Sequence, residues 1–134
     1  MYVAEAITER REAKRPTVLL VEDEPIVRLD LASALRGARY EVIEASNADE
    51  ALDVLHSLPV DLMISDVVMP GSMDGVGLAA RARGLDSRMK IIIVSGQVSR
   101  APAENFADGF FAKPHGCTPV LKTCRQLLSD WDAR

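Results

Sequence analysis

Four short segments hold the side chains of this sequence that could act together chemically. Glu22-Asp23-Glu24 follows the apolar run Thr17–Val21, and Asp66 follows the run 61–65. Ser95 follows the run 90–94, and Lys113-Pro114 follows Gly109–Ala112. Each polar group therefore stands at the C-terminal end of a segment that reads as a buried strand, the place where open α/β sheets put their ligands. Carboxylates crowded at such a place repel and raise one another's pKa unless a cation intervenes. Mg²⁺, a hard ion satisfied by one or two carboxylates, a carbonyl, waters and phosphate oxygens, meets that need, with Mn²⁺ as its alternative. Asp66 is the candidate nucleophile, because a carboxylate can attack a phosphoryl group to give an acyl phosphate. The metal, the Lys113 ammonium and the Ser95 hydroxyl would then share the charge on the three equatorial oxygens. Glu24, by contrast, reads equally well as a solvated surface acid.

For these groups to meet, the segments between them must form a layered sheet. Thr17–Val21 is a continuous β-prone run, as expected of a strand covered on both faces. Pro25 suits the first turn of a helix, and Gly37 is a plausible stop. A second strand is expected over 40–45. Asn47 follows as an N-cap, with Glu50 three residues later in a capping-box arrangement and Pro59 beyond the helix end. A third strand ends at Asp66, and the loop VVMPGSMDG leads to a helix from about 76 to 83, halted near Gly84. The fourth strand covers 90–94 and the fifth Gly109–Ala112. In the last helix Thr118 is the expected cap and Pro119 the start. Strands alternating with helices predict an α/β fold, a parallel sheet with helices on both faces and right-handed crossovers.

The chain has 134 residues, 48% of them apolar, which allows one domain with a modest core. A net charge of −4 and no long basic run argue against a nucleic-acid surface. The longest apolar stretch is too short to span a bilayer, and the first residues contain no apolar signal region, so a cytoplasmic location is expected. Residues 1–15 read as a charged, frayed or helical extension, with Tyr2, Val3 and Ile7 able to dock on a neighbour. Residues 16–131 are expected to form the domain, with no room expected for an output domain. Cys117 and Cys124 lie seven apart on one expected helix, ~10 Å along its axis, too far for a disulfide. They and the lone His56 and His115 read as structural or surface residues.

VLLVEDE, ISDVVMPGSMDG, IIIVSG and GFFAKP together resemble the receiver domain of two-component response regulators, from about Arg15 to the C-terminus. The resemblance implies a flavodoxin-like three-layer fold with strand order 2-1-3-4-5. It implies that Asp66 accepts phosphate from a histidine kinase or a histidine phosphotransfer protein, with autodephosphorylation. On that reading the chain is a stand-alone phosphoacceptor, a monomer or weak dimer signalling to a protein partner, and not a conventional enzyme. Asp23 and Asp66 would bind the metal directly with the backbone carbonyl of Val68, and Glu22 through water. Ser95 would be the switch hydroxyl and Phe110 the switch aromatic. Lys113-Pro114 would be a cis peptide, although X-Pro bonds in folded chains are mostly trans.

Two departures stand out. The loop after Asp66 is one residue longer than the commonest receiver form. Only seventeen residues separate Ser95 from Lys113, so the fourth helix, between the fourth and fifth strands, should be short or irregular. That makes the dimer symmetry of transcription-factor receivers doubtful and leaves a phosphorylation-independent binding module as one alternative. A haloacid-dehalogenase-type phosphatase is another, but its chemistry wants an Asp two residues after the nucleophile, where this chain has Val68.

Overall fold

A computed structural model describes residues 14–68, 71, 73–95, 107–113 and 116–131. Along the chain these form β1 (Thr17–Val21), α1 (Pro25–Gly37), β2 (Glu41–Ala45), α2 (Ala48–Ser57), β3 (Leu62–Asp66), α3 (Gly75–Leu85), β4 (Lys90–Ser95), β5 (Gly109–Ala112) and α4 (Cys117–Leu127). The five strands make one parallel sheet in the expected order, β2-β1-β3-β4-β5. The short or irregular helix expected between β4 and β5 falls on 96–106, outside the described residues. So do most of the N-terminal extension, Pro114 and His115.

Side-chain alternation in the strands divides the core into two layers. Leu19, Val21, Met63, Ile91 and Ile93 face α2 and α3, where they meet Ala48, Ala51, Leu78, Ala79 and Ala82. Val18, Leu20, Leu62, Ile64, Ile92 and Val94 face α1 and α4, where they meet Leu31, Ala32, Leu35, Val120 and Cys124. Both faces of the central strands are thus covered, which explains why β1, β3 and β4 read as unbroken apolar runs. The alanines on α2 and α3 let those helices approach the sheet closely.

Local rules held with adjustments at the helix ends. The Asn47 side chain accepts from the Glu50 N–H at 2.8 Å, as a cap should. Glu50, however, reaches past Asn47 to the Ser46 N–H and hydroxyl, each at 2.7 Å, and these bonds hold its carboxyl below the ordinary range. α1 stops at Gly37 as expected, and the left-handed residue lies just beyond it, at Arg39 with φ 75°. Gly84 stays inside α3, which runs on to Leu85. In α4, Gly116 is the N-cap and Cys117 the first residue, so Thr118 does not cap it. Pro119 still sits in the first turn, where its missing N–H breaks no helical bond.

Cys117 and Cys124 are free, on one helix as expected. Burial pushes the Cys124 thiol up to about 12. Burial also raises Cys117, helped by the Asp30 carboxylate 3.5 Å from its sulfur. Because the thiolate is the reactive species, Ellman's reagent at pH 8 should leave Cys124 unmodified in the native chain and label it once urea unfolds the domain. Rapid labelling without denaturant would mean that α4 is not seated on the sheet as described.

Candidate functional site

Strand register brings the separated polar residues together. Val21 pairs with Ser65, so the next residues on β1 and β3 are Glu22 and Asp66. Asp66 pairs with Val94 across to β4, and Ser95 pairs with Ala112 on β5. Lys113 then follows, its N–H donating to the Ser95 carbonyl at 2.8 Å. The β1–α1 turn is anchored on its other side by the Glu22 N–H, which donates to the Ala45 carbonyl at 3.0 Å. The buried polar residues among those described are Glu22, Ser65, Asp66 and Ser95, all at this end of the sheet.

Lys113 organises the charges. Its Nζ donates to Asp66 Oδ2 at 2.7 Å and to Glu22 Oε1 at 2.8 Å. The second oxygen of each acid is also engaged: Asp66 Oδ1 accepts from the Val68 N–H at 3.2 Å, and Glu22 Oε2 from the Glu24 N–H at 3.1 Å. Burial disfavours the ammonium, but the hydrogen bonds and charges of Asp66 and Glu22 outweigh it and hold Lys113 above its ordinary range. Burial pushes the Glu22 carboxyl up; the bonds from Lys113 and Glu24 pull it partly back, and neighbouring Asp23 adds to the rise. Asp23 is half-buried, and one carboxylate oxygen from each of Glu22, Asp23 and Asp66 lies within 4.8 Å of the others. Three carboxylates so close, facing a single ammonium, suit a hard divalent cation.

The remaining expected positions fall around this cluster. Ser95 is fully buried at the end of β4. Phe110 pairs with Ile93 and packs, half-buried, on the α2–α3 side of the sheet, while Phe111 packs on the α1–α4 side. Val68 is 55% exposed at the rim, and Glu24 is exposed as the N-cap of α1.

Two supporting residues had no assigned role in the sequence. Arg28 Nη1 donates to the Glu22 carbonyl at 2.9 Å while its Nε pairs with Glu44 at 3.3 Å, tying α1 and β2 to the acidic turn. No local signal marks it. Gly75 opens α3 against the backbone of Asp66: a Cβ there would overlap the Asp66 carbonyl and lie 2.8 Å from Val67 Cα. Its N–H donates to the Val67 carbonyl at 2.8 Å. A glycine at the first position of a helix, where ordinary residues serve as well, was the available hint.

The family model for the response regulator receiver domain matches residues 18–123. The chain belongs to that family. One relative is the sensor kinase CckA of Brucella abortus, 41% identical over 122 residues; the match covers 87% of this chain and 13% of that protein's length. Among solved structures, a CheY-like receiver domain protein from Methanospirillum hungatei superposes with TM-score 0.82 at 26% identity, covering 87% of this chain and 96% of that one. The response regulator TrrA of Thermotoga maritima, solved in complex with Mg²⁺ and BeF, gives TM-score 0.78 at 30% identity, covering 84% and 99%. This receiver domain has its acidic cluster at the strand ends of the shared fold, with donor types that fit such a cation.

Gly75→Ala tests the packing under the acidic pocket. The added methyl must displace the β3–α3 backbone, and overpacking of this kind costs about 1–3 kcal/mol. Urea unfolding should show a loss in that range, whereas Gly84→Ala, where nothing lies within 4 Å, should be neutral or stabilising.

Proposed function

We propose that this chain is a phosphoacceptor in two-component signalling, accepting a phosphoryl group on Asp66 from a histidine kinase or a histidine phosphotransfer protein. The observation that carries this reading is the Lys113 ammonium held between Asp66 and Glu22, with Asp23 alongside, at the C-terminal edge of the parallel sheet. An Asp66 carboxylate oxygen attacks phosphorus, the P–O bond forms as the P–N bond of phosphohistidine breaks, and the imidazole leaves with the electron pair. Lys113 stabilises charge on a phosphoryl oxygen, and the buried Ser95 hydroxyl at the end of β4 contacts another.

Asp23 and Asp66, with the Val68 carbonyl and with Glu22 through water, would hold Mg²⁺. Bound there, the ion supplies charge neutralisation for the phosphoryl oxygens. Ser95 and Phe110 carry the response to the surface by biasing a two-state equilibrium. The chain's output is a protein–protein contact, and its own chemistry is limited to phosphotransfer and autodephosphorylation.

Intact mass after incubation with phosphoramidate and Mg²⁺ tests this directly. One phosphoryl group should be added, and none with Asp66→Asn or in EDTA; undiminished labelling of Asp66→Asn would refute the assignment. Asp23→Ala should weaken Mg²⁺ binding in a calorimetric titration by roughly tenfold or more, since even outer-shell changes at metal sites reach 10–100-fold. Unchanged affinity would place the metal elsewhere.

A further inference from the structure

The opposite pole of the domain holds an unexplained feature. Below the starts of β1, β3 and β4 lies a cavity of about 280 Å³ of mixed lining: Val60, Met89, Leu127, Leu128 and Trp131 give it an apolar side, and charged residues, Asp61, Asp86, Arg88 and Asp130 among them, surround it. It continues past Val60, Asp61, Asp86 and Trp131 into a second hollow lined by Lys14 and Arg15, the first described residues of the chain. Trp131 lies where the two meet. Its indole Nε1 is buried, and among the described residues it is the one buried side-chain nitrogen or oxygen that meets no hydrogen-bond partner. Buried indole N–H groups normally find an acceptor.

We propose that this groove is the docking site of the chain's own N-terminal segment, residues 1–13. Three observations single out that occupant. The segment joins the domain at Lys14, in the groove itself. Its apolar residues, Tyr2, Val3, Ala6 and Ile7, share one helical face, which also carries Arg10 one turn beyond Ile7, with Glu5 and Thr8 off it. Thirteen residues span ~20 Å as a helix, more than the ~10 Å across three adjacent parallel strands. The segment is therefore long enough to cross the starts of β1, β3 and β4 and bring a backbone or side-chain acceptor to the indole. On the proposed function, the domain then carries its phosphoacceptor chemistry at one pole and a self-covered groove at the other.

Trp131 is the only tryptophan, so both its emission and its indole proton report on this groove alone. In the full-length chain, nuclear Overhauser effects should connect the Trp131 indole proton with side chains of residues 2–7. The full-length double variant Val3→Asp, Ile7→Asp should lose them, shift Trp131 emission to longer wavelength and expose it to acrylamide quenching. Its far-UV circular dichroism should still show the folded domain, and its labelling by phosphoramidate should be unchanged, because the substitutions lie outside the acidic pocket. No contact between residues 1–13 and the indole in the wild-type chain would overturn the proposal. So would emission and quenching that vary with protein concentration, which would make a second copy the occupant.

Discussion

The site depends on one ammonium facing two buried carboxylates. Glu22 and Asp66 are 5% and 7% exposed, and a carboxylate out of water is tolerated only when paired and hydrogen-bonded. Lys113 meets both demands, and the N–H groups of Val68 and Glu24 take the remaining oxygens. Removing one member of a buried pair leaves the other charged and unsolvated, an effect of about 3–5 kcal/mol when burial is complete. Lys113, with its side chain 22% exposed, sits below that limit because water shares its charge. The pair therefore defines the pocket more than it stabilises the fold.

That constraint explains much of the surrounding architecture. Two carboxylates can lie side by side only if β1 and β3 are adjacent and end at the same level, and the Val21–Ser65 register provides this. Lys113 can reach them across β4 because β5 ends one residue earlier, at Ala112 opposite Ser95. Gly75 lets α3 start tightly against Asp66, and Arg28 braces the turn that presents Glu22 and Asp23. Apolar layers pack on both faces of the sheet beneath this end, so the polar groups are held in place by the fold itself.

The opposite pole is built on other terms. There Arg83 links the end of α3 to Ser87, Met89 and Asp108, and Asp108 accepts from the Ile91 N–H at 2.8 Å. These bonds secure the entry to β4 and β5 without creating a converging set of acids. Where the first pole gathers carboxylates around one ammonium, the second leaves a hollow of mixed lining, with charges of both signs, and an indole N–H that meets no partner among the described residues.

Strand positions, their parallel arrangement and the polar residues at their ends were legible in the sequence because unbroken β-prone runs ending in Asp, Glu, Ser or Lys are local features. Chain order alone could not say which ends meet; similarity to receivers supplied the strand order, and the register then aligned Glu22 with Asp66. Helix stops were read to within a residue at Gly37 and Gly84, but the cap expected at Thr118 falls at Gly116, because a cap is chosen by backbone geometry set partly by packing. Arg28 was invisible in its role and Gly75 left only the hint of a glycine beside the helix start, since each acts on backbone atoms brought near by a turn. The residue types by themselves determined the chemistry available to this protein. Tertiary structure alone decided that Lys113 stands between Asp66 and Glu22, because that contact joins residues 47 and 91 positions apart and exists only when β1, β3 and β5 lie in one sheet.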